Sequence, residues 1–355
     1  NSLKKTRVFA VPNASTFSNI LLSPYYFLQL FSTAKSFRDN PIIGSKLLNR
    51  LGLHVWRIKL SDWAIACRRW QLSGRVAAAD RERFLADGFL VKEDFLPPEL
   101  FEQLRQEVAR YDAEGWACYQ GDTITHRILL DEKTLRDLPA CRALLKNRSY
   151  RNLLAWTAGI AAAPVFYIQR IFNGAVAGMP ADPQKNLHSD TFNSTVKAWL
   201  FLDDVPKGRG PFTYVPGSHR MTPARLQAEY ERSLVESGNT DHYTAKGSLR
   251  WDRDRLAAMG LPPPKEITAR ANTLVIADTR GIHCRGSVEE ACMRCEIWVY
   301  SRPNPFWPFA GFEILGRQQL RDALIRWWLE YQARKAARRN RKPSWRPERH
   351  SALPR

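Results

Sequence analysis

From residue 165 onward the chain breaks into short apolar runs separated by glycine and proline, and this punctuation limits the possible folds more than any other feature. The runs 165–172, 196–202, 212–215, 273–277 and 293–300 have strand length, and Pro206-Lys-Gly-Arg-Gly-Pro211 and Pro216-Gly-Ser218 supply turns between them. Earlier, residues 81–88 and 97–112 carry helical apolar spacing through Leu100, Phe101, Leu104, Val108 and Tyr111, with Pro97-Pro98 at a helix start. Helices followed by strands predict an α+β fold with a β-sandwich or jelly-roll core. At 355 residues and 44% apolar content the chain can bury a large core, which excludes a disordered protein. No internal repeat is present.

The formal charge of +19 and the pI near 10.0 call for an acidic partner. Residues 8–34 carry no charge, and 18–34 are aromatic and only partly apolar; Asn19, Pro24 and Gln29 interrupt the stretch, which predicts a segment lying in a membrane interface more readily than a spanning helix. Residues 35–70 mix Arg and Lys with Trp, Leu and Ile, broken by Gly44 and Gly52, and 326–342 read as a basic helix followed by a disordered tail. The chain therefore divides into 1–79, 80–310 and 311–355, with the two ends facing an anionic membrane. Nucleic acid is the weaker partner, because the charge travels with large apolar side chains and no nucleic-acid module is visible. The six scattered cysteines favour a reducing compartment, and Cys292-x-x-Cys295 lies within a strand without a second pair at zinc spacing. The first residue is Asn1 rather than Met, which leaves the true N-terminus and any cleaved leader open.

Asn186-Leu-His-Ser-Asp190 carries the chemistry. On a strand, positions i and i+2 share a face, so His188 and Asp190 can reach one metal while Leu187 and Ser189 turn away. H-x-D alone is a weak signal. His283, after a strand and a turn, completes two histidines and a carboxylate, a set that leaves positions on a first-row metal for a chelating cosubstrate and O₂. Eleven residues on, Arg294 enters a strand and can offer a bidentate fork to a carboxylate. Arg280 and Arg285 compete for that role from the turn.

Taken in order, Phe84-Leu-Ala-Asp-Gly-Phe-Leu-Val91, His188-Ser-Asp190, Ala198-Trp-Leu-Phe-Leu-Asp-Asp204, Val215-Pro-Gly-Ser-His-Arg220 and the spacing from His283 to Arg294 resemble the phytanoyl-CoA dioxygenase family over residues 81–306. The resemblance implies a double-stranded β-helix of the cupin-like, jelly-roll type between helical extensions. It also implies Fe(II) at His188, Asp190 and His283, and 2-oxoglutarate held by Arg294 and lined by Trp199. Gln169 is a candidate contact for cosubstrate or substrate. Where the family often has a small hydroxyl residue two positions after the distal histidine, this chain has Arg285, and Ser287 or Thr213 would have to replace it. The expected activity is hydroxylation of a C–H bond in an acidic or acyl-bearing, lipid-like substrate by O₂, because Asp190 keeps the carboxylate that halogenating relatives lack. The protein is expected to be cytoplasmic and peripheral to the inner face of a membrane; the competing reading is a non-catalytic basic membrane- or nucleic-acid-binding protein on the same barrel. His219 reads as a structural hydrogen-bonding residue, His126 as an exposed loop residue, and His54 as part of the basic extension.

Overall fold

The computed structural model describes residues 23–311 and 318–353. Among the described residues eleven strands form two sheets. They are β1 (Phe89–Lys92), β2 (Glu114–Gln120), β3 (Thr123–Leu129), β4 (Val165–Asn173), β5 (Val196–Phe201), β6 (Phe212–Tyr214), β7 (Lys265–Ile267), β8 (Leu274–Asp278), β9 (His283–Arg285), β10 (Cys292–Ser301) and β11 (Trp345–Arg349). The large antiparallel sheet runs β1-β8-β5-β10-β4-β3-β2-β11 and the small one β7-β6-β9, the jelly-roll expected from the punctuated runs.

Period-two alternation decides what each face buries. Ala198 and Leu200 of β5 and Ile297 and Val299 of β10 point outward into a core closed by the helices Pro98–Arg110, Pro139–Lys146 and Arg148–Ala158, through Leu104, Leu144 and Trp156. Trp199 and Phe201 of β5 and Trp298 of β10 point inward, where they meet Phe212, Tyr214 and Ile267 of the small sheet. The inner faces enclose the polar residues discussed below. The tail expected to be disordered is instead a strand: β11 pairs with β2, and the Tyr119 hydroxyl donates to Glu348 at 2.7 Å. Pairing there covers what would otherwise be the open edge of the sheet.

The N-terminal extension is docked on the barrel by its charges. In the helix Leu53–Gln71, Arg57 donates to the Leu30 and Ala34 carbonyls at 3.0 and 2.7 Å, Arg68 to the Asn304 and Trp307 carbonyls at 2.7 Å each, and Arg69 to the Thr157 carbonyl at 2.6 Å. The outer face of the same helix carries Trp56, Trp63 and Trp70, 53%, 55% and 77% exposed. Among the described residues no helix is long and apolar enough to cross a membrane. Residues 1–22, the start of the stretch read as interfacial, lie outside the described residues.

Arg69 also reaches Ser194 Oγ at 3.0 Å and the Asp278 carboxylate at 3.5 Å, at the end of β8. Burial pushes the Asp278 carboxyl up, but Arg280 and Arg69 outweigh it and hold it below the ordinary range. Arg69→Ala should therefore cost about 3 kcal/mol or more in urea unfolding, because it strips a buried carboxylate of a partner. The contribution of Asp278 should be complete above its unfolded value of about 3.9 and be lost as pH falls through the lower folded value.

Candidate metal centre and cosubstrate cavity

His188 and Asp190 do not lie on a regular strand, as the alternation argument assumed, but in the segment between β4 and β5. Isolated antiparallel bridges position them. The His188 N–H donates to the His283 carbonyl and the His283 N–H to the His188 carbonyl, both at 2.9 Å, while the Asp190 N–H donates to the Thr279 carbonyl at 2.9 Å. Ser189 and Leu187 do turn away: Ser189 Oγ accepts from Trp251 Nε1 at 3.1 Å, and Leu187 joins an apolar cluster. His283 opens β9, opposite Tyr214 of β6.

The three side chains converge, each offering one ligand atom within 4.8 Å of the others. Nε2 of His188 lies 3.8 Å, and Nε2 of His283 3.9 Å, from the Asp190 carboxylate. Both imidazoles hold their remaining nitrogen away from this point. His188 Nδ1 bonds the Asn186 carbonyl at 2.7 Å and His283 Nδ1 the Gly281 carbonyl at 2.9 Å, which makes Nδ1 the protonated nitrogen and leaves Nε2 with a bare lone pair. His188 Nε2 is buried without a hydrogen-bond partner. Burial and the neighbouring His283 hold His188 neutral, well below the usual imidazole range, and burial lowers His283 as well. Burial would raise Asp190, but Lys197, at 2.7 Å, and the two histidines hold it ionised, well below the carboxylate range. Two neutral imidazoles and one carboxylate fit a divalent first-row metal such as iron.

A cavity of about 160 Å³ beside the triad is lined by Gln169, His188, Trp199, His283, Arg285 and Arg294, among others. Arg294 is buried; it donates to the Gly210 carbonyl, and its Nε lies 3.2 Å from Glu296. Glu296 is fully buried and accepts from Gln169 at 2.5 Å, while Gln169 accepts from Arg127 Nε at 2.6 Å. Burial raises the Glu296 carboxyl against the opposing pull of Arg294 and Gln169. Of the two competing arginines, Arg285 lines the same cavity and is paired with Asp182 at 2.6 Å, as Arg294 is with Glu296, while Arg280 is paired with Asp62 and does not line it. Ser287 and Thr213 are not among the residues that line this cavity; Thr213 of β6 and Ser287, two residues beyond the end of β9, line a neighbouring one of about 950 Å³.

A larger cavity of about 730 Å³ opens next to Asp190, lined by Lys35, Lys197 and Arg302 together with Tyr167, Trp298, Tyr300 and the C-terminal helix Gln318–Arg338. Arg127 borders both cavities, its guanidinium 3.6 Å above the Trp298 ring and 4.9 Å from that of Trp345, and burial lowers its pKa to about 10. Sequence reasoning missed Lys35, Arg127, Lys197 and Glu296. Lys197 and Glu296 were within reach of it, since each shares an inner strand face with a residue already singled out, Trp199 or Arg294.

The other histidines are elsewhere. His126 is buried on β3 rather than exposed, bonds the Glu348 carbonyl at 3.0 Å, and is pushed by burial to about 4. His219 is buried but has no hydrogen-bond partner at either ring nitrogen, so it packs, near Phe84, and does not bridge. His54 faces Glu229 at 3.0 Å. All six cysteines are free, Cys292 and Cys295 among them.

Residues 84–254 match the phytanoyl-CoA dioxygenase (PhyH) family model. Over that stretch, just under half of its length, the chain is similar to this family. His188 and Asp190 fall inside the matched stretch, His283 and Arg294 beyond it. Iron as cofactor, 2-oxoglutarate as cosubstrate and an oxygenase-type activity that depends on both accord with this match and with the cluster of His188, Asp190 and His283. Among solved structures, the chain is similar to the non-haem α-ketoglutarate-dependent epimerase SnoN of nogalamycin biosynthesis, at 18% identity and TM-score 0.41 over 62% of this chain and 81% of that one. It is also similar to AviO1 of Streptomyces viridochromogenes Tue57, at 19% identity and TM-score 0.39 over 64% and 95%, and to HygX of Streptomyces hygroscopicus with nickel and 2-oxoglutarate bound, at 16% and 0.39 over 63% and 86%. No curated protein matches the chain.

Gly281 supplies the carbonyl that orients His283, and a Cβ there would lie 1.8 Å from the Tyr214 hydroxyl oxygen, which itself donates to the Asp278 carbonyl at 2.8 Å. Gly281→Ala should lower stability by about 1–3 kcal/mol in denaturant unfolding through overpacking. It should also turn His283, so that metal affinity measured by titration falls further than in a surface Gly→Ala control.

Proposed function

We propose that this protein is an Fe(II)- and 2-oxoglutarate-dependent dioxygenase that hydroxylates a C–H bond of an acidic or acyl-bearing, lipid-like substrate, with His188, Asp190 and His283 as the iron ligands and Arg294 as the anchor for 2-oxoglutarate. The observation that carries the reading is the convergence of two Nε2 atoms and one carboxylate within 4.8 Å, with both Nδ1 atoms tied to main-chain carbonyls. Bound iron supplies the chemistry in which O₂ and 2-oxoglutarate give succinate and CO₂ and the second oxygen atom enters the substrate C–H bond. The residues of the chain bind and orient. The Asp190 carboxylate is kept anionic by Lys197, Arg294 offers its guanidinium to the distal carboxylate of the cosubstrate, and Trp199, its ring centroid 4.5 Å from that of Phe212, keeps water from the pocket wall. Gln169 orients the wall opposite, through Glu296 and Arg127.

The reading places the enzyme on the inner face of an anionic membrane, with the cytoplasm as its compartment. Its support is the exposed row of Trp56, Trp63 and Trp70, one helix face that also carries exposed Lys59, and the exposed Tyr25, Phe27, Leu28 and Phe31 of the preceding segment. Aromatic side chains of this kind settle at the headgroup boundary, and each Lys or Arg near the surface adds about 1 kcal/mol. The six free thiols suit a reducing compartment.

Asp190→Ala should abolish substrate oxidation and most Fe(II) retention, whereas Arg294→Ala should raise the 2-oxoglutarate requirement roughly tenfold or more with Fe(II) binding intact, as loss of a charge-assisted pair implies. Anaerobic titration of metal and cosubstrate separates the two, and equal loss of both ligands in Arg294→Ala would refute its anchoring role. In liposome flotation at low salt the intact chain should rise with anionic vesicles, and Trp56→Ser, Trp63→Ser and Trp70→Ser together should release it; recovery of the unmodified chain only in the soluble fraction would rule out membrane docking.

A further inference from the structure

The large cavity beside Asp190 holds three cations that no carboxylate among the described residues answers at ion-pair distance: Arg127, which stacks on Trp298 and donates to Gln169 at 2.6 Å, and Lys35 and Arg302. Lys197 is paired with Asp190 at 2.7 Å, and Arg321 lies 3.6 Å from Asp322. Lys35 differs: its Nζ donates to the main-chain carbonyl of Asp190, not to a carboxylate. Arg302 likewise donates to the Thr33 carbonyl at 2.7 Å, and its Nε is buried without a partner. Both side chains line the cavity at the end where the triad stands.

Their placement is built. The Lys35 main chain passes so close to Gly247, at φ +79°, that a Cβ there would lie 2.2 Å from the Lys35 carbonyl oxygen. The Arg38 N–H donates to the Ala245 carbonyl at 3.0 Å, and Arg302 grips Thr33 two residues before Lys35. Three tethers thus bring one residue of the N-terminal extension, outside the family-matched stretch, to the metal end of the cavity. Holding an ammonium and a guanidinium away from bulk water with only carbonyl oxygens as partners is costly, and an anion entering between them offsets that cost. The remaining wall is apolar: Trp298 and Tyr300 of β10, then Leu324, Trp327 and Trp328 of the C-terminal helix, the last three partly exposed at the mouth.

We propose that Lys35 and Arg302 hold the carboxylate of an amphiphilic anion, a long-chain acid, whose apolar chain lies along Trp298 and Tyr300 toward Trp327 and Trp328. The N-terminal extension then supplies a specificity-determining residue to the barrel. The orientation puts the acid end of the substrate beside the triad, so the C–H bond oxidised lies near the carboxylate and the far end of the chain faces the membrane. This last step rests on the metal assignment above.

The test uses the full chain, with dodecanoate and dodecanol as probes and tryptophan fluorescence as the readout, so that no turnover is required. The unmodified protein should bind dodecanoate at least tenfold more tightly than dodecanol. Lys35→Met and Arg302→Met should each erase most of that preference while dodecanol binding stays the same, and Lys35→Arg should retain it. Unchanged dodecanol binding also shows that the variants are folded. Equal affinity for acid and alcohol in the unmodified chain, or a preference that survives Lys35→Met, overturns the proposal. His283→Ala should lose Fe(II) yet keep the preference for dodecanoate. Retention of Fe(II) by His283→Ala would overturn the metal assignment and with it the predicted position of oxidation, while the carboxylate preference is scored independently.

Discussion

The pair of reciprocal hydrogen bonds between the main chains of His188 and His283 holds this molecule's chemistry together. The two residues are 95 positions apart, the first in an irregular segment and the second at the start of a short strand of the small sheet. Two bonds of ordinary strength fix their backbones side by side, and the Nδ1 bonds to Asn186 and Gly281 then leave each side chain little choice of direction. Asp190 joins them because its own N–H is tied to Thr279, on the turn that leads into His283. Geometry of this kind is made before any ligand arrives, which is what preorganisation requires of a site that must hold a labile metal.

Around that bridge the barrel interior is a set of neutralised charges. Asp190 is matched by Lys197 at the wall of the large cavity, and Arg285 by Asp182 and the Arg294 Nε by Glu296 in buried pairs. A buried charge without a partner costs several kcal/mol, so the pairing explains how so polar an interior survives inside a jelly roll. It also sharpens the meaning of the charges left over. Arg127, stacked on Trp298 between the two cavities, and Lys35 and Arg302 at the metal end face open space and are free to meet the anionic ligands of an oxygenase.

The extensions follow the opposite of the usual division of labour. In the helix Leu53–Gln71 the arginines are turned inward and three tryptophans outward. Carbonyl oxygens make this possible: loops 30–34 and 304–307 and the end of the helix Arg148–Ala158 leave carbonyls unpaired, and a guanidinium with five donors satisfies them through a fixed fork that a lysine lacks. With the cations spent on docking, the aromatic row is what faces outward. The C-terminal helix serves the cavity rather than a separate surface, since Leu324, Trp327 and Trp328 form its outer wall.

Much of this was written locally. The strand runs with their Gly and Pro punctuation and the outward and inward alternation of β5 and β10 are short-range patterns, and each corresponds to an element of the fold; the order of His188, Asp190 and His283 along the chain is also legible, and these three side chains converge. Other features depend on contacts between residues far apart in the chain. The partner of β2 is a tail whose Arg and Pro content reads as disorder, because pairing depends on an open edge elsewhere and not on the tail's own propensity. The hydroxyl residues Thr213 and Ser287 lie at plausible spacing yet face another cavity, because strand register sets the side of Thr213 and Ser287 falls beyond the end of β9. Lys35 has no signal in its neighbourhood at all, and only the close approach of Gly247 and the grip of Arg302 carry it 155 residues along the chain to Asp190. The sequence by itself determined which side chains can bind a metal and which residues of β5 and β10 share a face. Tertiary structure alone decided which charges are answered within the chain and which are left for a ligand, because charge pairing is a property of positions in space and not of spacing along a chain.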